Sequence, residues 1–294
     1  MRPVKPPAFE YHRPDTAADA VAMLAQLGDE SKILAGGQSL VPMLALRLTM
    51  FEHLIDITRV AELQGVQRAG ATLQIGAGTT EADIEVSSEV AAAVPLLARA
   101  TPLIGHFQIR NRGTIGGSIA HADPAAEYPA VVLALDATLE VLGTAGARTV
   151  PATEFFTGLW DTAIDDDELL TGVSFPIWAG RCGFAIEEVA RRHGDFAIAG
   201  AAVALELDDA DTVVRCGIGL IGLGSTPVRA TAAEAEIVGR HVGELDADEL
   251  GRSAVSDLVD VPSDLHSPPE YRRRVGAVTV TRALRSAISE ARGG

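Results

Sequence analysis

Two short glycine-rich stretches hold the residues whose types and spacing are best suited to binding an anion. The first is Ala35-Gly36-Gly37-Gln38-Ser39, and the second is Thr114-Ile115-Gly116-Gly117-Ser118. Glycine permits positive φ and lets backbone N–H groups approach a ligand closely, and successive N–H groups in such turns form an anion-binding nest. Two nests brought together by the fold could hold the two phosphates of a dinucleotide. The alternative is a pair of ordinary tight turns.

Polar residues after the second stretch could contact the same ligand. Asp123 and Glu127 are four positions apart, so they share one face if the segment is helical. Asp123 precedes Pro124 and is equally well placed to cap a helix that starts after it. Glu127 would then lie in the first helical turn, where its carboxylate could accept hydrogen bonds from the hydroxyl groups of an adenosine ribose.

Other nucleotide-binding and catalytic motifs are missing from the sequence. Gly76-Ala77-Gly78 and Gly222-Leu223-Gly224 lack the third glycine of a Rossmann fingerprint, so a bound dinucleotide would not bind in that manner. We find no Walker loop, no zinc-protease motif and no Gly-x-Ser-x-Gly element. The seven histidines show no metal-ligand spacing. The sequence therefore predicts no metal site and no catalytic residue in this chain.

Composition excludes several classes of partner. A chain of 294 residues that is 47% hydrophobic can form one large or two ordinary domains. A net charge of −16 and 4% aromatic residues argue against nucleic acid and anionic membrane surfaces as partners. No apolar stretch approaches the roughly 20 residues of a transmembrane helix, and Met1–Pro7 has no signal-peptide core.

The two cysteines, Cys182 and Cys216, could pair, but so few cysteines in a chain of this length are typical of the reducing cytoplasm. Two thiols cannot hold an iron–sulfur cluster, which needs about four ligands.

The elements that must position these residues mix helices and strands without regular βαβ order, which predicts an α+β fold. Periodicity and cap residues predict helices over 16–27, 39–48, 80–100, 127–135, 229–240, 246–259 and 270–291. The corresponding strands are 32–34, 53–57, a hairpin over 64–77, 138–142, 168–175, 184–190, 199–207 and 213–223. A domain boundary is predicted near 176–183, and the last three strands suit a small antiparallel sheet.

The densest polar run of the C-terminal part is Arg191-Arg192-His193-Gly194-Asp195-Phe196. Because it lies between two predicted strands, it is either a solvated hairpin turn or a segment that contacts a cofactor or a partner subunit. His121, which follows the second glycine-rich stretch, is likewise either a turn residue or part of the site.

These residues resemble the flavin-binding medium subunit of molybdenum hydroxylases, a family that includes bacterial carbon monoxide, xanthine, nicotine and caffeine dehydrogenases. In the N-terminal part the resemblance rests on AGGQS and TIGGS, with RNRG before the second stretch and ADPAAEYP after it. In the C-terminal part it rests on ARRHGDFAIAGAAVAL, GSTPVRATAAEA and SDLHSPPEYRRRV, so it covers nearly the whole chain.

The resemblance implies an FAD-binding domain of the p-cresol methylhydroxylase type over residues 1–178. Residues 179–294 would form a C-terminal domain of the carbon monoxide dehydrogenase flavoprotein type, with a three-stranded antiparallel sheet and a helical bundle. The cofactor-binding residues implied are Ala35, Gly36, Gly37, Gln38, Ser39, Leu40, Thr114, Ile115, Gly116, Gly117, Ser118, Asp123, Glu127, Leu170 and Phe196.

Three of these positions have specific implied roles. Glu127 stands where the family usually has an aspartate that contacts the adenosine side. Leu170 matches a backbone contact to the flavin, and Phe196 matches a position, often tyrosine, beside the isoalloxazine ring. The FAD pyrophosphate would lie between the two stretches.

The implied function is electron transfer within a complex. A large subunit would hold the molybdenum cofactor, and a small subunit would hold two two-iron two-sulfur clusters that pass electrons to FAD and then to an external acceptor. The expected assembly is a dimer of heterotrimers, active only as a complex. The alternatives are a stand-alone flavin oxidoreductase of the same fold and a cofactor-free interaction module. Many such oxidases tether FAD through a histidine in the first stretch; Gln38 occurs here instead, which favours the subunit and predicts noncovalent FAD.

Overall fold

The computed structural model describes residues 5–264 and 267–293. Leu265 and His266 of the SDLHSPPEYRRRV motif lie outside the described residues. The strands of the described part are β1 (Glu10–His12), β2 (Ser31–Leu34), β3 (His53–Asp56), β4 (Val66–Ala69), β5 (Thr72–Gly76), β6 (Thr138–Gly143), β7 (Gly146–Pro151), β8 (Phe156–Gly158), β9 (Asp161–Thr162), β10 (Leu169–Pro176), β11 (Arg181–Val189), β12 (Ala199–Leu207), β13 (Val213–Ile221) and β14 (Val228–Arg229).

Twelve α-helices complete this described part. They are α1 (Ala17–Leu27), α2 (Leu40–Leu46), α3 (Glu81–Val86), α4 (Ser88–Ala93), α5 (Pro95–Ala100), α6 (Phe107–Arg110), α7 (Ile115–His121), α8 (Glu127–Ala134), α9 (Ala152–Phe155), α10 (Thr231–Ile237), α11 (Ala247–Ser256) and α12 (Pro269–Ala291). None of these helices is long and apolar enough to cross a membrane.

A small parallel sheet with strand order β1-β3-β2 supports the first glycine-rich stretch. Helix α1 packs on this sheet through Ala20, Val21 and Leu24, which recur at helical spacing and are buried. The Thr16 hydroxyl caps the helix by accepting a hydrogen bond from the Asp19 N–H at 3.0 Å. Because β2 ends at Leu34, the first glycine-rich stretch begins directly after a paired strand.

An antiparallel sheet with strand order β4-β5-β10-β6-β7 supports the second stretch. Strand β10 is central, and both of its neighbours run antiparallel to it. Apolar side chains on this sheet pack against α4, α5, α7 and α8 in the largest core, in which Tyr128, Phe155 and Phe175 are fully buried. The turn after β5 leads to the residues on which the second stretch rests.

The C-terminal sheet has strand order β11-β12-β13-β14, so the three predicted antiparallel strands are extended by a two-residue edge strand. Helix α8 lies against β13 so closely that a Cβ atom at Gly217 or Gly219 would be 1.9 or 2.0 Å from a carbonyl oxygen of α8. Alternate β12 side chains join different cores, with Ala202 in the same core as α8 and Val203 in the same core as α12. The sheet is therefore covered on both faces.

The helical region predicted over 80–100 consists of three short helices. The segment is divided because the Ser87 hydroxyl accepts from the Val90 N–H and starts α4, and Pro95 opens α5. A second difference concerns function more directly. The Thr114–Ser118 stretch, expected to form a turn, is the capped first turn of α7.

Candidate functional site

The fold brings the two glycine-rich stretches into contact. A Cβ atom at Gly36 would lie 2.1 Å from the carbonyl oxygen of Arg112, the residue two positions before the second stretch. A Cβ atom at Gly117 would lie 3.4 Å from the Cβ of Ala35. The stretches are thus packed backbone against backbone, and a larger residue at Gly36 would push them apart.

The first stretch retains free hydrogen-bond donors. Gly37 has φ +73°, a conformation that favours glycine. Among the described residues, the backbone N–H groups of Gly36, Gly37, Gln38 and Ser39 donate to no protein acceptor. The Gln38 side chain donates from Nε2 to the Gly36 carbonyl at 3.0 Å, which fixes the turn from within. A row of unpaired donors around a positive-φ glycine matches the predicted anion-binding nest.

The second stretch differs from the nest expected of it. Its N–H groups are already used: Gly117 donates to the Thr114 hydroxyl at 3.0 Å, and Gly116 donates to the Ala77 carbonyl at 2.9 Å. Neither Gly116 nor Gly117 has positive φ. Glycine is required at Gly116 because a Cβ there would lie 2.4 Å from the Cβ of Ala77. The Ser118 hydroxyl, which has no partner among the described residues, is a donor that this stretch leaves available.

Leu170 is connected to the second stretch through the backbone. It is 4% exposed and pairs with Val141, next to a bulge in the β10–β6 ladder. The following carbonyl, Thr171, accepts from the Ala77 N–H at 2.9 Å, and the Ala77 carbonyl in turn accepts from Gly116. Backbone hydrogen bonds therefore connect strand β10 to the second stretch, with Ala77 as the one residue between them.

The helical face predicted for Asp123 and Glu127 is wrong, as is the cap predicted for Asp123. An Asp123 carboxylate oxygen accepts from the Ala125 N–H at 2.9 Å, which closes a local turn. Helix α8 starts only at Glu127, with Ala126 at its N-cap position. Asp123 thus shapes the connection into α8, and the two carboxylates lie on different elements.

Glu127 has an unusual environment. Its side chain is buried, and it forms no hydrogen bond or ion pair with another described residue. Burial, together with the neighbouring charge of Glu188, raises the pKa of Glu127 to about 8. A buried carboxyl group without a protein partner is costly unless a ligand supplies the missing donors.

Glu81 is a second buried carboxyl group beneath the site. It packs against Gly113, where a Cβ atom would lie 2.6 Å from its carboxylate, and its Oε2 atom has no hydrogen-bond partner. Burial raises the pKa of Glu81 to about 8, although the nearby Arg110 guanidinium opposes the shift. Glu81 therefore supports the backbone just before the second stretch in its neutral form.

Replacing Glu81 with glutamine should flatten the pH dependence of stability. Between its ordinary pKa of 4.5 and about 8, the folded protein retains a proton that the unfolded chain releases, so stability falls as pH rises. From pH 6 to pH 8 this one group should cost the wild type about 2 kcal/mol, and the variant should lose that part of the slope. Urea unfolding of the flavin-free protein at both pH values measures the difference.

Glu89→Gln is the matched control, because Glu89 is an exposed carboxylate on α4. It should reproduce the wild-type slope. An unchanged slope in Glu81→Gln would show that Glu81 is ionised in the folded protein. Glu127 and Glu188, whose pKa values are also raised by burial, account for the slope that remains.

The polar run Arg191–Phe196 connects β11 to β12 and reaches the N-terminal part of the chain. A Cβ atom at Gly194 would lie 2.8 Å from the His106 ring, and the His106 and His193 rings meet edge to face at 5.9 Å. Phe196 is 68% exposed. No hydrogen bond or ring contact joins it to either glycine-rich stretch among the described residues. The run is therefore an exposed loop anchored on His106, and its contact with a cofactor or a partner subunit stays a prediction.

One contact near the second stretch was not predicted. His121, at the end of α7, stacks on Trp160 with ring centroids 6.4 Å apart and an interplanar angle of 6°. Burial lowers the pKa of His121, which favours the neutral ring. Trp160 has φ +56° and connects the two strands of the β8–β9 hairpin. The only sequence feature that could have indicated this contact is the apolar pair Leu159-Trp160 in a polar segment. A search for strand periodicity does not find such a pair.

A small cavity opens beside the first stretch. Its volume is about 130 Å³, and the residues that line it include Ala35, Thr58, Gln64, Asn111 and Arg112. The free N–H groups, the Ser118 hydroxyl and the buried Glu127 carboxyl group are donors and acceptors of the kind that the phosphates and ribose of a dinucleotide require. The residues present therefore fit such a cofactor.

Two models of known protein families match the chain. Residues 7–178 match the FAD binding domain in molybdopterin dehydrogenase, and residues 184–287 match the CO dehydrogenase flavoprotein C-terminal domain. The chain is 40% identical over 282 residues to the carbon monoxide dehydrogenase medium chain of Hydrogenophaga pseudoflava, covering 96% of this chain and 98% of that protein. It is also 40% identical over 289 residues to the 6-hydroxypseudooxynicotine dehydrogenase complex subunit alpha of Paenarthrobacter nicotinovorans, covering 98% and 97%.

Solved structures agree with these relatives. A chain of the Hydrogenophaga pseudoflava carbon monoxide dehydrogenase superposes with a TM-score of 0.94 at 41% identity, covering 97% of this chain and 99% of that one. A chain of quinoline 2-oxidoreductase from Pseudomonas putida 86 gives 0.91 at 33% identity, covering 98% and 99%. The predicted family and fold class are confirmed. The chain belongs to the FAD-binding medium subunits of molybdenum hydroxylases, a family of oxidoreductase flavoproteins.

Proposed function

We propose that this chain is the electron-transferring FAD subunit of a molybdenum-dependent hydroxylase complex. The observation that carries the proposal is the row of free N–H groups from Gly36 to Ser39 in the domain matched by the FAD-binding family model. Unpaired backbone donors of this kind recognise phosphate oxygens strongly, because the hydrogen bonds they form are charge-assisted.

Different residues would bind different parts of the cofactor. The N–H groups of the first stretch and the Ser39 and Ser118 hydroxyls bind the pyrophosphate. Leu40, the next residue, begins α2 and lies beside the same phosphates. Thr114 and Ile115 hold the start of α7 in place through their own hydrogen bonds. Glu127 accepts hydrogen bonds from the ribose hydroxyls on the adenosine side. Leu170, through its backbone, and Phe196 lie toward the flavin ring.

A bound flavin supplies the redox chemistry, since it can accept electrons and pass them on. The chain's own residues bind and orient it and exclude water from its phosphates. FAD is held noncovalently, because the first stretch has Gln38 in place of a tethering histidine and a carboxamide nitrogen is not nucleophilic. Acid precipitation of the yellow protein should accordingly leave all the flavin in the supernatant.

The partners are a large subunit with the molybdenum cofactor and a small subunit with two iron–sulfur clusters, arranged as a dimer of heterotrimers in the cytoplasm. Both cysteines of this chain are free thiols. Burial raises the pKa of Cys182 to about 11 and that of Cys216 further, so neither is a ready thiolate ligand. We also propose a domain division after residue 178, between the end of β10 and the start of β11.

Replacing Glu127 with alanine should weaken FAD binding roughly 2–10-fold, the loss expected for a hydrogen bond between uncharged groups, because a pKa of about 8 keeps Glu127 protonated at neutral pH. Glu127→Asp keeps a carboxyl group and should recover most of the affinity. Quenching of FAD fluorescence on titration with flavin-free protein measures the dissociation constants. Glu89→Ala, which removes an exposed carboxylate from α4, is the control. Wild-type affinity in the Glu127→Ala variant would remove this residue from the cofactor site.

A further inference from the structure

Three potential metal ligands lie together on the N-terminal sheet, away from the glycine-rich stretches. The ligand atoms of Glu10, His12 and His53 all lie within 4.8 Å of one another. His12 Nε2 is 3.1 Å from His53 Nδ1, and a Glu10 carboxylate oxygen is 3.6 Å from the same His53 nitrogen. Sequence spacing could not show this cluster, because the two histidines are 41 positions apart.

Strand register explains the arrangement. Strand β1 pairs with β3 in parallel, and Glu10 lies opposite His53. Glu10 and His12 are two positions apart on one strand, so their side chains leave the same face. Tyr11 leaves the other face, where its hydroxyl donates to the Asp56 carboxylate. The pleat therefore directs three ligands to one face and a separate polar pair to the other.

The distances suit a metal ion. Zinc binds imidazole nitrogen at about 2.0–2.1 Å and carboxylate oxygen at about 2.0–2.2 Å, so ligand atoms of a tetrahedral site are roughly 3.3–3.5 Å apart. The His12–His53 and Glu10–His53 separations of 3.1 and 3.6 Å lie close to this range. Two imidazoles and one carboxylate are also a ligand set that zinc and related divalent ions prefer.

Hydrogen bonding alone cannot satisfy all three groups. His53 Nδ1 is the shared atom, within reach of both His12 Nε2 and the Glu10 carboxylate. If this nitrogen carries a proton, it can direct that proton well at only one of its neighbours. If it carries none, it cannot donate to Glu10. A cation between them would use the lone pairs of all three groups at once.

We propose that Glu10, His12 and His53 form a binding site for a zinc-type divalent cation that ties β1 to β3. Glu10 has a 76% exposed side chain and His53 a 19% exposed one, so the ion enters from solvent and keeps water as its remaining ligand. Among the described residues, no protein group fixes the outer ring nitrogens of the two histidines. Because such second-shell partners raise metal affinity, we expect an exchangeable site.

The cation would stabilise the edge of the sheet. Strand β1 has three residues and pairs on one side only, so few hydrogen bonds hold it. Its partner β3 also pairs with β2, which leads into the first glycine-rich stretch. The site does not depend on the proposed flavin function, since none of its ligands is assigned to the cofactor.

The test is zinc titration of the full chain after chelator treatment, followed by calorimetry and thermal unfolding. We expect one equivalent of Zn²⁺ to bind per chain and to raise the unfolding temperature. Glu10→Gln, at the most exposed ligand, should fold normally and weaken zinc binding at least about tenfold, the lower end of what loss of a second-shell partner costs. His12→Gln and His53→Gln should abolish the one-equivalent transition.

Glu52→Gln is the matched control, because Glu52 is an exposed carboxylate next to His53 whose side chain has no partner among the described residues. It should bind zinc as the wild type does. If Glu10→Gln binds with wild-type affinity, or if an anomalous-scattering map of zinc-soaked crystals places the ion elsewhere, the proposal is overturned. The same measurements with flavin-free and FAD-loaded protein keep this outcome separate from any failure to bind FAD.

Discussion

Replacing Gly37 with valine should deprive the protein of FAD while leaving most of the fold intact. Gly37 has φ +73°, and a Cβ atom there would lie 3.1 Å from side-chain atoms of Leu34 and Val41. A β-branched residue in this conformation costs roughly 1–3 kcal/mol, and the turn can relieve that strain by moving. Relief would turn the N–H groups from Gly36 to Ser39 away from a common anion. Losing one or two charge-assisted bonds of about 1.5–3 kcal/mol each weakens binding on the order of 100-fold or more.

Flavin content per chain after purification, together with the FAD dissociation constant, measures the effect. Gly70→Val is the matched control: Gly70 has φ +61° in the β4–β5 turn, and no atom lies within 4 Å of a Cβ built there. It carries similar backbone strain far from the first stretch, so it should lose stability and keep its flavin. Equal flavin loss in both variants would trace the effect to general destabilisation. Full flavin content in Gly37→Val would show that the first stretch does not bind the phosphates.

The contrast between the two stretches shows what the sequence could predict. In sequence both are Gly-Gly pairs with a hydroxyl, predicted to meet in the fold as turns, and they do lie against each other. Only the first has the row of free N–H groups that an anion-binding nest requires. In the second, Thr114 caps a helix, and Gly116 is small because Ala77 lies against it. A glycine needed for close approach looks the same in sequence as one needed for positive φ. The difference depends on a residue distant in the chain.

Residues distant in the chain also decide features that no local pattern shows. Glu127 was expected to accept ligand hydrogen bonds, and the effect of Glu188 on its pKa depends on a residue 61 positions away. His12 and His53 show no metal-ligand spacing in the sequence, yet parallel pairing of β1 and β3 places their ring nitrogens 3.1 Å apart. The cap at Thr16 could be predicted, because capping depends on neighbours in sequence.

The isolated, FAD-loaded chain should not oxidise any organic substrate of the complex with an artificial acceptor. The two free thiols of this chain cannot hold iron–sulfur clusters, and in the proposed complex the substrate reacts on the molybdenum subunit. Turnover should appear only when a molybdenum subunit and an iron–sulfur subunit are added. We expect the difference to exceed roughly 1,000-fold, because the chemical step would be carried out on another chain.

Single-turnover bleaching of the flavin after substrate addition measures electron arrival in the reconstituted complex. Phe196→Ala should slow this bleaching more than it weakens assembly, because Phe196 is an exposed apolar side chain on a loop anchored by Gly194 against His106. Val259→Ala, at an 84% exposed valine outside the regular elements, is the control for loss of exposed apolar surface. An unchanged rate of bleaching in Phe196→Ala would show that the Arg191–Phe196 loop does not take part in electron transfer to the flavin. Substrate turnover by the lone chain would instead favour a stand-alone flavin oxidoreductase, because a subunit that depends on its partners for electrons cannot reduce its own flavin.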